Sequence, residues 1–553
     1  MKGKSEKEQH LEDVADSHSA FNTEVESHYL SLRGKRLTAA LAFITGTGFT
    51  LFGYDQGVMS ALLSAPQFQK VFPQVVTLGQ PANHATLQSF VVAIYEIGCL
   101  VGALSNLWIG DRLGRKRTIV LGGILMIIGA ILQTTSYSYA QLVVARIVTG
   151  LGNGLNTSTV PTYHAECSPA KNRGSLIMIE GSLITFGIMI SYWIDFALFW
   201  ASDSSAQWRV PIALQIIFAL VMIGGIGYLP ESPRWLVKQG RNAEAMAVIS
   251  ALNDAPVSDP EVLRTYHGIR EAVAIDDAPT RGKAPLKELF THGRGQNFRR
   301  ATLGIVVQCF QQITGINLIT YYATLLFERL GIDDVKSRII AACNGTEYFL
   351  ASLIAIALID RVGRRKLMLF GATGQCITMV LLAVLGSIDK SAANVASAVL
   401  LFVFNSFFAV GWLGMTWLYP AEIVGLRIRA PANALSTASN WIFNFVVVMV
   451  TGPSFSAISW RTYIVFAALN AFIIPVVYLF FPETAGRSLE DMDVVFALAY
   501  NEGVSPVGVS LRKDVPLAGS EEADRILGID SNRSEKAESS PEMPASRTST
   551  QEA

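Results

Sequence analysis

The sequence predicts an all-α membrane protein with twelve transmembrane helices, built as two six-helix halves. Three observations carry that prediction. The first is composition: 51% of the 553 residues are hydrophobic and 16% are charged, against about 25% charged in a typical soluble chain. The mean hydropathy is +0.37. The second is that apolar runs of roughly 17–25 residues, long enough to cross a bilayer, recur twelve times with one polar interruption. The third is a set of short charged motifs that return in the same order after about 250 residues.

Each run is bounded by the residues beside it. The first, 38–59, follows a polar segment and ends in FGYDQGV. The second, 87–109, stops at GDRLGRKR, and the third, 118–136, starts behind it. The fourth, 139–163, holds Arg146 and enters PTYHAECSPAKNRG. The fifth, 176–199, contains ISYWIDF, and the sixth, 209–229, ends at PESPRWL. A polar stretch to about 297 follows. The seventh run, 299–327, carries QQITGINLITYY. The eighth, 337–359, leads to DRVGRRK and the ninth, 367–387. The tenth, 395–420, enters YPAEIVGLRIR. The eleventh, 431–452, holds SNWIFN, and the twelfth, 460–481, ends at PETAGRSLED.

Lysine and arginine set the expected orientation. Arg33, Lys35 and Arg36 precede the first run, and basic clusters follow the second, fourth, eighth and tenth. The intervening loops are poor in base. Both termini and the central stretch are therefore expected in the cytoplasm. The expected organisation is an N-terminal tail (1–36), a first half (37–229), a linker of short helices (230–297), a second half (298–482) and a C-terminal tail (483–553). That tail is rich in Ser, Glu, Pro and Asp, and is expected to be disordered beyond about 504. No apolar stretch stands behind a basic start in 1–36, so no cleavable leader is expected.

The formal net charge is zero, so no nucleic-acid partner is indicated. The five cysteines lie in or beside apolar runs, and no disulfide is expected. No metal-ligand spacing occurs, and His164 has no nucleophile constellation around it. An enzyme is not expected, nor any cofactor beyond a coupling proton.

The repeated motifs are specific. Asp111 and Asp360 open matching D-R-x-G-R turns, Glu166 with Arg173 matches Glu422 with Arg429, and PESPR at 230–234 matches PETAGRSLE at 482–490. The positive-inside rule explains the bases but not the fixed Asp, Gly and Glu. These motifs, over about residues 37–500, resemble the sugar porters of the major facilitator superfamily. GYDQGV and ISYWIDF resemble a fungal branch that includes hexose, pentose and glycerol–proton carriers. The resemblance implies two halves around a central cavity and alternating access.

The turns and their acids form a candidate latch at the cytoplasmic helix ends. Asp111 and Asp360 are placed to cap the next helix. Arg112 and Arg361 can reach carboxylates on neighbouring helices, with Glu166, Arg173, Glu422 and Arg429 at the same level. Surface ion pairs of little consequence are the alternative.

Gln311, Gln312 and Asn317 are amides in an apolar helix and need partners. Helix-to-helix bonding would supply them, and so would a polyhydroxylated substrate. The resemblance implies the second. It also implies that Tyr321 and Tyr322 gate the site, that Trp417 stacks on the substrate's apolar face or packs between helices, and that Asn440 adds an amide. Two positions depart from the family: Gly181, beside Glu180, replaces a helix-5 Gln, and Gly414 and Thr416 replace two prolines before Trp417. Substrates other than glucose become more plausible.

Asp55 and Arg146 are charges within spans, where either alone costs about 2.5–3.5 kcal/mol. As a pair they offset one another, either as a static pair or as a site that couples a proton to the conformational change. The resemblance implies the latter. Glu96 and Glu347 are further acids within spans, either second proton carriers or, the favoured reading, neutral and hydrogen-bonded.

The whole reading is a plasma-membrane carrier, working as a monomer in the bilayer, that moves a monosaccharide with protons. A polyol, sucrose or sugar-acid symporter, an uncoupled facilitator and a sugar sensor are the alternatives.

Overall fold

The computed structural model describes residues 25, 30–77, 79–168, 173–277, 286–388, 390–425 and 428–528. The first half comprises α1 (Gly34–Leu62), α2 (Asn83–Leu113), α3 (Arg115–Thr134), α4 (Tyr139–Glu166), α5 (Arg173–Phe199) and α6 (Ala206–Tyr228). Three short helices follow: α7 (Pro233–Lys238), α8 (Asn242–Asn253) and α9 (Pro260–Asp277). In the second half the seventh span is split into α10 (Asn297–Ile313) and α11 (Ile316–Arg329). Then come α12 (Asp334–Val362), α13 (Arg364–Gly386) and α14 (Ser391–Phe408), which runs through a π-type turn at Ala409–Leu413 into α15 (Met415–Ile423). The last two spans are α16 (Arg429–Ile458) and α17 (Thr462–Phe480). By length and hydropathy, ten helical stretches qualify as spans. One of these, Pro431–Phe480, holds two spans joined at Ser459. α4 falls outside the ten because Arg146, Asn153 and Asn156 dilute its apolar residues, and it brings the described spans to twelve.

Lipid gives helices little hydrophobic reason to associate, so close backbone approach does the work. Between α2 and α4 two glycine pairs interlock. A Cβ at Gly98 would come within 2.5 Å of the Ile147 carbonyl, and one at Gly154 within 2.1 Å of the Cys99 carbonyl. Between α1 and α5, a Cβ at Gly53 would reach 1.8 Å from the Ile184 carbonyl.

The start of α1, residues 230–277 and 286–296, and residues 482–528 share one face of the bundle, here the tail face. Arg33 ties that face together, donating to Ser250 Oγ at 3.1 Å and to the Ala255 carbonyl at 3.1 Å. On the far face the halves are joined. Arg338 at the head of α12 donates to the Ala61 carbonyl (2.9 Å) and to Ser64 Oγ (2.8 Å). Tyr322 donates to Ser89 Oγ at 3.0 Å, Gly452 N donates to the same oxygen at 3.2 Å, and Trp193 Nε1 donates to Thr346 Oγ1 at 2.9 Å. The far face is closed.

One expectation is corrected. Residues 504–528 are not disordered: they form α19 (Pro506–Ser510) and α20 (Glu521–Leu527), behind α18 (Leu489–Glu502). Ser505 and Ser520 accept bonds from the first turns of α19 and α20, and Val509, Val515 and Ala523 bury against Met492, Val495 and Phe496. Averaging this segment with the polar residues beyond it hid the apolar contacts. Residues 529–553 lie outside the described ones.

The packing predicts a contrast. Gly53→Ala forces a methyl group onto backbone, which should cost about 1–3 kcal/mol and lower the thermal unfolding midpoint in detergent. Gly224→Ala, with nothing within 4 Å of its added Cβ, should leave the midpoint unchanged.

Candidate functional site: an amide network between broken helices

Two spans of the second half are interrupted at the same depth. α10 ends at Ile313, and after Thr314 the chain turns at Gly315, with φ +96°, before α11 begins. Tyr322 is a second irregular point, at φ −127° and ψ 17°. The π-type turn at Ala409–Leu413 interrupts the tenth span. Broken helices free carbonyls that must be satisfied locally, and such breaks recur where a carrier binds its cargo.

Amide side chains fill these gaps. Gln311 donates to the Trp412 and Leu413 carbonyls at 3.4 and 3.3 Å, and Gln308 to the Thr416 carbonyl at 2.9 Å. Asn440 on α16 donates to both Gln308 (2.7 Å) and Gln311 (2.8 Å). Gln312 donates to Gln311 at 3.2 Å, and Asn317 donates to Gln312 (2.5 Å) and to Asn444 (2.6 Å). Six buried amides thus form one connected set. Gln311, Gln312, Asn317 and Asn440 meet as the sequence placed them. Gln308 and Asn444 were missed, although each lies three or four residues from a recognised amide and so on the same helix face. Trp417 is half-buried on α15, and among the described residues no hydrogen bond or ring contact joins it to the amides.

Asp55 and Arg146 are wholly buried but do not touch. Tyr95 stands between them. Its hydroxyl donates to Asp55 Oδ2 at 3.3 Å, and the Arg146 guanidinium lies 4.4 Å from its ring centroid. Arg146 Nη2 donates to the Val92 carbonyl at 3.2 Å. The expected direct pair is an acid and a base separated by an aromatic ring. The neighbouring Glu96 accepts a bond from Tyr321 at 2.5 Å, across the halves. Tyr321 and Tyr322, read as a gate, are both buried and both bonded to the first half. Glu180 also finds a partner that was missed: His164 Nδ1 lies 2.8 Å from Glu180 Oε1, both buried.

The charged motifs form two matching networks on the tail face. Arg115 forks onto Glu166, both bonds at 3.0 Å, and lies 3.5 Å from Asp111. Arg364 does the same with Glu422 (2.9 Å) and Asp360 (3.0 Å). Glu231 takes the Arg115 and Lys116 N–H groups at 3.1 and 3.2 Å, and Glu483 takes those of Arg364 and Arg365 at 2.8 and 3.2 Å. The arginines that bind are therefore Arg115 and Arg364, while Arg112 and Arg361 are exposed. The capping role expected of Asp111 and Asp360 falls to Glu231 and Glu483. The cause lies in the turn. Gly114 and Gly363 sit at φ +85° and +98°, and a Cβ there would strike Glu231 Oε2 at 2.8 Å or Glu483 Oε2 at 2.6 Å. Burial pushes the Glu231 carboxyl up from its ordinary range, and the N–H groups of Ser232, Lys116 and Arg115 oppose that rise. Each network closes within its own half. Arg429 donates to the Val424 carbonyl at 3.4 Å, and the side chain of Arg173 lies outside the described residues.

The comparisons agree with this architecture. The family model described as "Sugar (and other) transporter" matches residues 41–496. The chain is 43% identical over 490 residues to the "Sugar transporter STL1" of Saccharomyces cerevisiae, covering 87% of this chain and 84% of that one. It is 30% identical to that yeast's "Low-affinity glucose transporter HXT3", covering 89% and 87%. Among solved structures it is similar to "the xylose transporter XylE from E. coli" in a partially occluded inward open conformation. That likeness has a TM-score of 0.68 at 23% identity, covering 82% of this chain and 99% of the other. The chain belongs to the sugar transporter family of multi-pass membrane proteins with the twelve-helix major facilitator fold.

The tail-face geometry separates two arginines that the motif spelling does not. Glu422→Gln, which removes the charge from the Arg364 fork, should cost about 2 kcal/mol and lower the unfolding midpoint in detergent. Arg361→Ala, at an exposed position, should change it by less than about 0.5 kcal/mol.

Proposed function

We propose that this protein carries a monosaccharide or a polyol across the plasma membrane by alternating access, driven by proton import. The observation that carries the reading is the connected set of six amides between two broken helices, on the second half's side of the interface. A polyhydroxylated molecule offers alternating donors and acceptors, and can exchange for amide–amide bonds without leaving any of them unpaired. Gln311, Gln312, Asn317 and Asn440 hold the substrate, with Trp417 covering its apolar face, and Tyr321 and Tyr322 close above it. The names of the relatives support a sugar, and the Gly181 and Gly414 departures favour one other than glucose. The Asp55–Tyr95–Arg146 cluster supports the coupling: protonating Asp55 removes the negative charge that balances Arg146. No catalysis is proposed, and no cofactor other than the proton. The arginine and lysine distribution supports cytoplasmic termini, which puts the closed far face outside. The chain acts as a monomer.

Three outcomes are expected. Expressed in yeast lacking hexose carriers, the chain should give a transient external alkalinisation with one compound among glucose, xylose, galactose, galacturonate, sucrose and glycerol. Silence with all six would overturn proton symport of these substrates. Asp55→Asn should abolish uphill accumulation yet keep exchange between loaded pools. Gln311→Ala should weaken substrate affinity about tenfold, the loss of one or two hydrogen bonds, at normal surface expression.

A further inference from the structure

Glu96 is wholly buried on α2, where the two halves meet. Its Oε1 accepts the Tyr321 hydroxyl of α11 at 2.5 Å, and its Oε2 is buried with no partner. Asn444 faces it from α16, Arg146 from α4 and Asp55 from α1, with Tyr95 and Cys99 on α2 itself. Among the described residues no ion pair reaches it. The cation in its neighbourhood, Arg146, is engaged by the Val92 carbonyl and the Tyr95 ring. Glu96 therefore stands between the acid–tyrosine–arginine cluster and the amide set, and bonds to a residue of the gate.

A buried carboxylate with one hydrogen bond is costly, whereas a carboxylic acid in the same place is cheap. The closed far face buries Glu96, and an open one would give it water. Protonation and closure must then favour one another, each by the same free energy. We propose that Glu96 is the proton-dependent catch of the far face: its carboxylate takes a proton from water when that face is open, and the resulting acid, held by Tyr321, permits closure. Glu96 acts through Tyr321 and is a positioning residue. The inference rests on alternating access but not on the identity of the substrate.

The test uses the full chain without substrate, in cells, with the native cysteines replaced and Ser60→Cys added. Ser60 is buried, and its hydroxyl accepts from Thr324 N across the halves at 3.4 Å. A membrane-impermeant maleimide is applied to the far face at pH 5.5 and pH 8. Thiol reactivity itself rises with pH, so each rate is divided by that of the same chain carrying Glu96→Gln. The ratio should rise with pH, because only the parent opens as its acid ionises. Tyr321→Phe, which lacks the donor, should label faster than the parent at pH 5.5. A flat ratio overturns the proposal, as does a rise in labelling that survives in Glu96→Gln but vanishes in Asp55→Asn. If Ser60→Cys does not reach the surface, Ser64→Cys, whose parent hydroxyl accepts from Arg338, gives the same contrast. A rising ratio with no transported compound would reject the substrate reading and keep this one.

Discussion

Every polar group within the spans has to find its partner inside the protein, because lipid offers none. That constraint organises the molecule. Where the seventh and tenth spans break, main-chain carbonyls at Trp412, Leu413 and Thr416 would be stranded, and Gln311 and Gln308 cover them. The amide oxygens then need donors, and Asn440, Gln312 and Asn317 supply them and extend the chain of bonds to Asn444. A break that bends a helix thus creates the demand for a polar cluster. The cluster in turn creates a place that a hydroxylated molecule can enter at little cost.

On the tail face the same constraint acts on charge. Arg115 and Arg364 are each held by a carboxylate at the end of the next span and by an acid beyond the half's last span. Because the bonds run within a half, they bind each six-helix unit into one body. The halves are left to meet through hydroxyls, main-chain groups, the Arg338 guanidinium, the Trp193 indole and the Glu96–Tyr321 bond. Units braced within by charge, and meeting along the packed faces of α2 with α16 and of α5 with α12, suit a rocking motion between two states.

Much of this was legible in the sequence. Run lengths fix the spans, and the repeat fixes the division into halves. Four of the six amides stand out because Gln and Asn are conspicuous in apolar helices. Gln308 and Asn444 escaped because each needs a cross-helix neighbour to give it meaning. The choice of Arg115 over Arg112 was not legible either. Both lie in GDRLGRKR, and only the positive φ at Gly114 decides which one turns inward. The cost of leaving Asp55 and Arg146 as lone charges within spans suggested a pair, but a ring from a third helix lies against both. The segment 504–528 was misjudged because its apolar residues are few and count only once they pack on α18.

The far-face closure has one more consequence. Arg338 is matched by Asp334 within its own half, at 3.0 Å, and it reaches across to the Ala61 carbonyl, the Ser64 hydroxyl and the face of the Phe199 ring, where its charge also acts on the buried Asp195 of α5. The other far-face bonds described join hydroxyls, an indole N–H and a main-chain N–H. Parting this face therefore also draws the Arg338 cation away from the Asp195 carboxyl. Salt screens such groups once water reaches them, so concentrated surroundings should shift the balance between the two states toward the open far face.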